Sequence, residues 1–114
     1  MKYLFKRNDF LNISLGAIPA AIIRWQFDEI FLVNIIGCFL LGFINNLTIS
    51  QRYKLIFGFG FCGSLTTFSG LSFNLYKLIT RGYYMLFFLN TISIVFLGIL
   101  AVYLGILLAK KITN

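Results

Sequence analysis

Four long apolar stretches, separated by short charged or polar segments, set the pattern of this 114-residue chain. They cover about residues 10–27, 30–49, 55–77 and 82–109. Each stretch is close to or above the roughly 20 residues that an α-helix needs to cross a bilayer. We therefore predict an all-α membrane protein with four transmembrane helices in one domain over residues 1–114. The apolar residues that follow the basic start also argue against a cleaved signal peptide.

The third stretch is interrupted near its centre by small and polar residues. Residues 58–69 read GFGFCGSLTTFS, in which three glycines are followed by four hydroxyl side chains. Glycine inside a helix costs roughly 1 kcal/mol relative to alanine, and hydroxyls compete for backbone carbonyls. We predict that the helix breaks here, with freed carbonyls able to hold a cation and a half-helix N-terminus favouring an anion. Close helix packing through small residues is the alternative.

Two polar residues stand out in the first two stretches. Arg24 precedes Trp25, and it either snorkels to the headgroups beside that tryptophan or lies in a polar vestibule or subunit contact. Asn34 and Gly37 are three residues apart and share one face of the second helix. An asparagine within a membrane helix is costly unless its amide has partners, so we expect it to point inward. Its NH2 group can also donate to an anion.

Composition excludes several classes of protein. The chain is 60% hydrophobic, contains no histidine and has three acidic residues, with a mean hydropathy of +0.91. Histidine-based catalysis, most zinc and iron sites, and paired carboxylates are therefore excluded, and we do not expect an enzyme. No nucleotide-binding motif indicates transport driven by ATP. Cys38 and Cys62 lie in apolar segments without metal-ligand spacing, and we expect both to be reduced and buried.

The net charge of +7 does not indicate nucleic-acid binding, because the basic residues cluster at the ends of the apolar stretches. With four spans, both termini and the loop at 50–54 share one side of the membrane. That side carries Lys2, Lys6, Arg7, Arg52, Lys54, Lys110 and Lys111. The other side carries Lys77 and Arg81, with Arg24 if it reaches the interface. The positive-inside rule predicts cytoplasmic termini and a multi-pass protein of the plasma membrane.

Three signatures in this order resemble the Fluc (CrcB) family of small fluoride channels. They are Gly16-Ala17 with Arg24-Trp25, then Asn34-Ile35-Ile36-Gly37, and finally GFCGSLTTFS from Gly60 to Ser69. The resemblance covers essentially the whole chain. It implies passive, fluoride-selective export of cytoplasmic fluoride through a dimer of antiparallel subunits of the dual-topology type, with two fluoride pathways. Fluoride and membrane lipid are the other implied partners.

The resemblance also assigns roles to residues of the third stretch. It implies a structural sodium ion at the dimer centre, held by the backbone carbonyls of Gly63 and Thr66 from each subunit. The implied fluoride pathway is lined by Asn34, Thr67, Phe68, Ser69 and Ser93. A phenyl ring has a positive edge, so Phe68 can contact an anion that has lost water.

One position departs from the family pattern. The family usually has a second phenylalanine three residues after the first, and here that position is Leu71. Leucine offers no positive ring edge, so either the chain tolerates the change or a partner supplies the ring. The strong charge bias favours a heterodimer with an oppositely oriented paralogue, while a homodimer stays open. A non-conducting or half-active partner subunit is the alternative function. A small multidrug exporter is excluded, because the first stretch lacks the required glutamate.

Overall fold

The structure is a computed structural model that describes residues 6–113, so Lys2 lies outside the described part. All the regular structure in that part is helical. The helices are α1 (Arg7–Gln26), α2 (Ile30–Asn45), α3 (Gln51–Tyr53), a π-helical segment (Lys54–Cys62), α4 (Gly63–Leu65), α5 (Phe68–Thr80) and α6 (Tyr84–Thr113). We call the run from Gln51 to Thr80 the interrupted helix. It corresponds to the third apolar stretch.

Two of these helices, the interrupted helix and α6, are long and apolar enough to cross a membrane. Each has 30 residues, with mean hydropathies of 1.3 and 2.7. Large hydrophobic side chains are exposed along α1, α2, the interrupted helix and α6. Such exposure is unfavourable in water and favourable in lipid. At this level the predicted all-α membrane fold is confirmed.

The second helix is shorter than its apolar stretch, since α2 ends at Asn45 whereas the sequence predicts an end near residue 49. The side-chain Nδ2 of Asn46 donates to the carbonyl of Gly42 at 2.8 Å. This bond satisfies one of the carbonyls that every helix end leaves without a partner. A local amide therefore closes the helix before the apolar run is exhausted.

Glycines bring α1 against the π-helical segment with their backbones in contact. A Cβ atom placed on Gly16 would fall on the carbonyl oxygen of Ile56, and one on Gly60 would fall on the carbonyl oxygen of Ile13. Neither position has space for any other residue unless the helices separate. Small residues thus set the distance between these two helices, as they often do in membranes.

The second pair of helices, α2 and α6, meets in the same way. A Cβ atom on Gly42 would fall on the carbonyl of Val102, and one on Gly105 on the carbonyl of Phe39. The two pairs are joined because α2 also packs on the interrupted helix. The break therefore lies against α2, which carries Asn34.

Candidate functional site

The interrupted helix breaks at Thr66 and Thr67, within the segment where the sequence predicts it. Both residues have extended backbones, with φ, ψ of −79°, 153° at Thr66 and −147°, 117° at Thr67. The hydroxyl of Thr66 donates to the carbonyl of Cys62 at 3.2 Å. The hydroxyl of Thr67 accepts the N–H of Gly70 at 3.1 Å and so caps α5, which begins at Phe68. The hydroxyl residues therefore stabilise the broken backbone.

Asn34 holds the break from the neighbouring helix. Its Oδ1 accepts the N–H of Thr67 at 2.8 Å, and its Nδ2 donates to the carbonyl of Thr67 at 3.3 Å. The residue is 8% exposed, so these two bonds supply the partners that a buried carboxamide requires. One of the two Nδ2 protons makes the bond to Thr67, which leaves the second for another acceptor. We call this arrangement the Asn34 clamp.

The same hydrogen bonds release the two carbonyls that the sequence analysis assigned to a cation. In a continuous helix the carbonyl of Gly63 would accept the N–H of Thr67, but that N–H donates to Asn34. The carbonyl of Thr66 would accept the N–H of Gly70, but that N–H donates to the hydroxyl of Thr67. Both oxygens are thus freed from the α-helical pattern. Carbonyl oxygens are suitable ligands for a hard cation.

The two sides of the break have different surroundings. On one side α2 presses against it, because a Cβ atom on Gly37 would fall on the Cγ2 of Thr66. On the other side a Cβ atom on Gly63 would meet no described atom within 4 Å. The neighbouring Phe68 is 83% exposed. The break is therefore supported by its own subunit on one face and open on the other.

The hydroxyls of Thr67 and Ser69 lie together at the start of α5, with 3.2 Å between their oxygens. The structure therefore brings Asn34, Thr67, Phe68 and Ser69 to one place. Ser93 lies half-buried on α6, and within residues 6–113 no hydrogen bond joins it to the break. Its predicted role at the pathway is not supported by a contact.

Leu71 lies one turn beyond the break and lines a cleft of about 240 Å³ between α2, α5 and α6. The lining residues are Phe31, Leu71, Asn74, Leu75, Lys77, Leu78, Arg81 and Asn90. We call this the cationic cleft, since its lining contains two basic and no acidic side chains. The residues of α5 that line it recur at intervals of three and four, which places them on one helical face. The sequence analysis assigned Lys77 and Arg81 to the side of the membrane opposite the termini, but it did not group them with Leu71.

Phe73 does not replace the ring missing at position 71. The Nζ of Lys77 lies 4.5 Å from the centre of the Phe73 ring, which is a cation–π contact on the helix surface. Phe73 is 57% exposed and does not line the cationic cleft. The departure noted in the sequence therefore persists in the folded subunit.

Arg24 lies half-buried in the last turn of α1, beside Trp25, which is 80% exposed. The pair lies at a helix end. This position is compatible with both the interfacial and the vestibule interpretation of Arg24. Cys38 and Cys62 are free thiols, as predicted; Cys62 is buried as expected, whereas Cys38 is only half-buried. Within residues 6–113 no group of three or more His, Cys, Asp or Glu side chains could hold a metal ion, so a cation at the break would depend on backbone oxygens.

Comparisons with known proteins agree with the resemblance. The sequence model described as "CrcB-like protein, Camphor Resistance (CrcB)" matches residues 11–106. The chain is 56% identical over 107 residues, 94% of each sequence, to "Fluoride-specific ion channel FluC 1" of Prochlorococcus marinus (strain NATL2A). It is 41% identical over 75 residues to a "FluC 2" from strain MIT 9313, covering 66% of this chain and 60% of that protein. A FluC of Pyrococcus abyssi is 38% identical over 85 residues, which is 70% of this chain and 69% of the relative.

Proposed function

This chain belongs to the CrcB family, and on that premise we propose that it is a fluoride-selective channel. It would let cytoplasmic fluoride leave the cell down its electrochemical gradient and so lower its toxicity. The observation that carries the proposal is the Asn34 clamp, which holds a broken helix open beside the cationic cleft. Irregular backbone at membrane depth is tolerated where it lines a cavity or is buried in protein.

Selectivity would come from sparse, fixed donors that replace the water around a small anion. The second Nδ2 proton of Asn34 is such a donor, and so is one hydroxyl of the pair formed by Thr67 and Ser69, since the other hydroxyl donates within the pair. The ring edge of Phe68 adds a weak positive surface. Ser93 would contribute further along α6, as the resemblance implies.

The cationic cleft would serve as one mouth of this pathway. Lys77 and Arg81 lie at the end of α5, on the same helix that begins at the break. A cleft lined by one sign of charge raises the local concentration of the opposite ion. Leu71 lines this cleft itself, at the position where the family usually has a ring. The hydrophobic side chain narrows the path without offering a positive edge.

Assembly as an antiparallel dimer fits the open face of the break. A single subunit leaves Gly63 beside open space and Phe68 83% exposed, and a second subunit would cover both. Two relatives, from different strains of Prochlorococcus marinus, carry the names FluC 1 and FluC 2. A heterodimer with an oppositely oriented paralogue and a homodimer are both compatible with this face. The basic residues at the end that holds both termini support cytoplasmic termini in the plasma membrane.

We further propose that the freed carbonyls of Gly63 and Thr66, one pair from each subunit, would hold a structural sodium ion. Bound sodium would supply positive charge at the dimer centre and join the two breaks. Replacing sodium with the much larger N-methylglucamine cation should slow fluoride efflux or increase the monomer fraction on size-exclusion chromatography. Unchanged efflux and unchanged dimer content without sodium would contradict the assignment.

Efflux from liposomes that contain the purified chain alone tests the channel function directly, with chloride as the comparison ion. Fast and fluoride-selective efflux would establish a working homodimer. No efflux from folded protein would require co-reconstitution with a paralogous chain, which the heterodimer predicts will restore it. Absence of selective efflux in both preparations would refute the channel function and leave the non-conducting subunit. The presence of the Asn34 clamp and of Phe68 argues against a non-conducting subunit, because a subunit that has lost its pathway would not be expected to keep these residues.

The two ring positions should respond in opposite directions. Phe68→Ile removes a positive ring edge and should lower fluoride efflux about tenfold, the equivalent of one edge contact. Leu71→Phe restores the ring that the family usually has and should raise efflux of the homodimer. Phe96→Ile is the matched control, because Phe96 is an exposed phenylalanine (65%) on α6, outside the interrupted helix. Equal efflux in all three variants would exclude a role for the rings.

A further inference from the structure

A second cleft lies at the other end of the bundle, where both described chain ends are. It has a volume of about 400 Å³ and is lined by Asn8, Leu11, Asn12, Leu15 and Arg52. Four of these residues are on α1, and Arg52 is on α3. We call it the terminal cleft. It shares no residue with the break or with the cationic cleft.

The lining of the terminal cleft combines polar and apolar side chains of α1. Asn8 and Asn12 are four residues apart and form one row along the helix surface, and Leu11 and Leu15 form a second row beside it. The two leucines are each 58% exposed. Carboxamides and hydrocarbon therefore lie side by side in the same cleft. A small inorganic anion would gain no favourable contact from the two leucines.

Arg52 adds a positive charge to the polar side chains of the terminal cleft. It is exposed, and within residues 6–113 its guanidinium has no ion pair and no hydrogen bond. The guanidinium group is planar and matches phosphate oxygens with two parallel hydrogen bonds. The nearby amides of Asn8 and Asn12 are further neutral donors.

The charge around the terminal cleft is strongly positive. The described basic residues at this end are Lys6, Arg7, Arg52, Lys54, Lys110 and Lys111. The one described acid at this end is Asp9, whose carboxylate already accepts the backbone N–H of Lys6 at 2.9 Å. Clusters of basic residues beside membrane helices attract anionic lipid headgroups. The field therefore favours an anion, and the lining favours one that carries a hydrocarbon chain.

We propose that the terminal cleft is a binding site for one anionic phospholipid. Its phosphate lies against Arg52 and the carboxamides of Asn8 and Asn12, and one acyl chain follows Leu11 and Leu15. This site is separate from the fluoride pathway, and it would fix the start of α1 to the start of the interrupted helix. The chain would then retain this lipid through purification.

Native mass spectrometry of the full chain in detergent, titrated with palmitoyl-oleoyl-phosphatidylglycerol, tests this site. We expect one tightly retained phosphatidylglycerol per chain and weaker retention of phosphatidylcholine of the same acyl composition. Arg52→Gln should weaken retention about fivefold, as expected for one basic side chain at a membrane surface. Asn12→Leu should also weaken it without a change of charge. Lys110→Gln is the matched control, since it removes one charge at the same end without touching the cleft.

Several outcomes would overturn the proposal. Equal weakening by Arg52→Gln and Lys110→Gln would indicate diffuse attraction rather than a site. Displacement of the lipid by millimolar inorganic phosphate would indicate a site for free phosphate. A lipid held also through its acyl chain should resist such an ion, which competes for the headgroup contacts alone. Binding to monomers but not to dimers would show that a second copy of the chain covers the cleft. None of these readouts depends on fluoride, so they stand apart from the channel function.

Discussion

Asn34→Ala is expected to abolish most fluoride efflux and to destabilise the folded chain. The change removes both bonds of the Asn34 clamp and leaves the N–H and carbonyl of Thr67 without partners. Each unsatisfied buried group costs roughly 1–3 kcal/mol. The break would then lose its geometry, and the carbonyls of Gly63 and Thr66 would no longer be held in place. Liposome efflux and thermal unfolding in detergent measure the two effects.

Asn34→Asp keeps the acceptor of the side chain but removes both of its donor protons. The carboxylate still accepts the N–H of Thr67, but it donates to nothing and places a negative charge beside the pathway. We expect efflux to fall as far as in Asn34→Ala, with at least as large a loss of thermal stability, because a buried carboxylate oxygen would face the carbonyl of Thr67. Asn45→Ala is the control, because Asn45 is exposed at the end of α2. Wild-type efflux in both Asn34 variants would remove this residue from the channel.

Gly16→Ala is expected to be the most damaging small change in the helix packing. The new Cβ atom would fall on the carbonyl of Ile56 and lie 2.8 Å from the backbone nitrogen of Phe61. These are backbone atoms, which cannot relieve the overlap by a change of rotamer as a side chain can. The helix α1 must therefore move away from the π-helical segment. Overpacking of this kind typically costs about 1–3 kcal/mol. We expect a lower thermal unfolding temperature and a smaller folded yield.

Gly98→Ala provides the matched comparison for Gly16. A Cβ atom on Gly98 would meet the Sγ of Cys38 at 3.6 Å, which is an ordinary contact. Alanine also favours the helix by about 1 kcal/mol relative to glycine. We therefore expect unchanged or increased thermal stability. Equal destabilisation by the two substitutions would show that neither glycine sets a helix distance.

The long apolar stretches were sufficient to predict an all-α membrane protein, and the local composition of residues 58–69 was sufficient to place the break. Both follow from short-range physics, namely the length of a helix that spans lipid and the poor helical propensity of glycine and hydroxyl residues. The early end of α2 depended on one amide, that of Asn46, bonding to Gly42. A hydropathy pattern contains no such information.

The sequence identified candidate residues of the site but not all of the contacts that they make. Asn34 was expected to donate to an anion, whereas in the structure both polar atoms of its side chain also bond to Thr67. The two residues are 33 positions apart, and the periodicity of either helix does not show which residues of the other it meets. The π-helical winding of Lys54–Cys62 was not predicted either. Such winding is rare and usually limited to a single turn. The grouping of Leu71 with Lys77 and Arg81 likewise required the packed helices.

The Asn34 clamp can form only after residue 67 has been synthesised. Chains are made from the N-terminus, at roughly 5–20 residues per second, so the carboxamide of Asn34 leaves the ribosome seconds before the Thr67 backbone that it binds. During that interval a buried amide has no lasting partner, and α2 is most stable near the water interface. Arrival of Thr67 would draw both segments to their final depth together. The final depth of α2 would therefore be set only after residue 67 has been made.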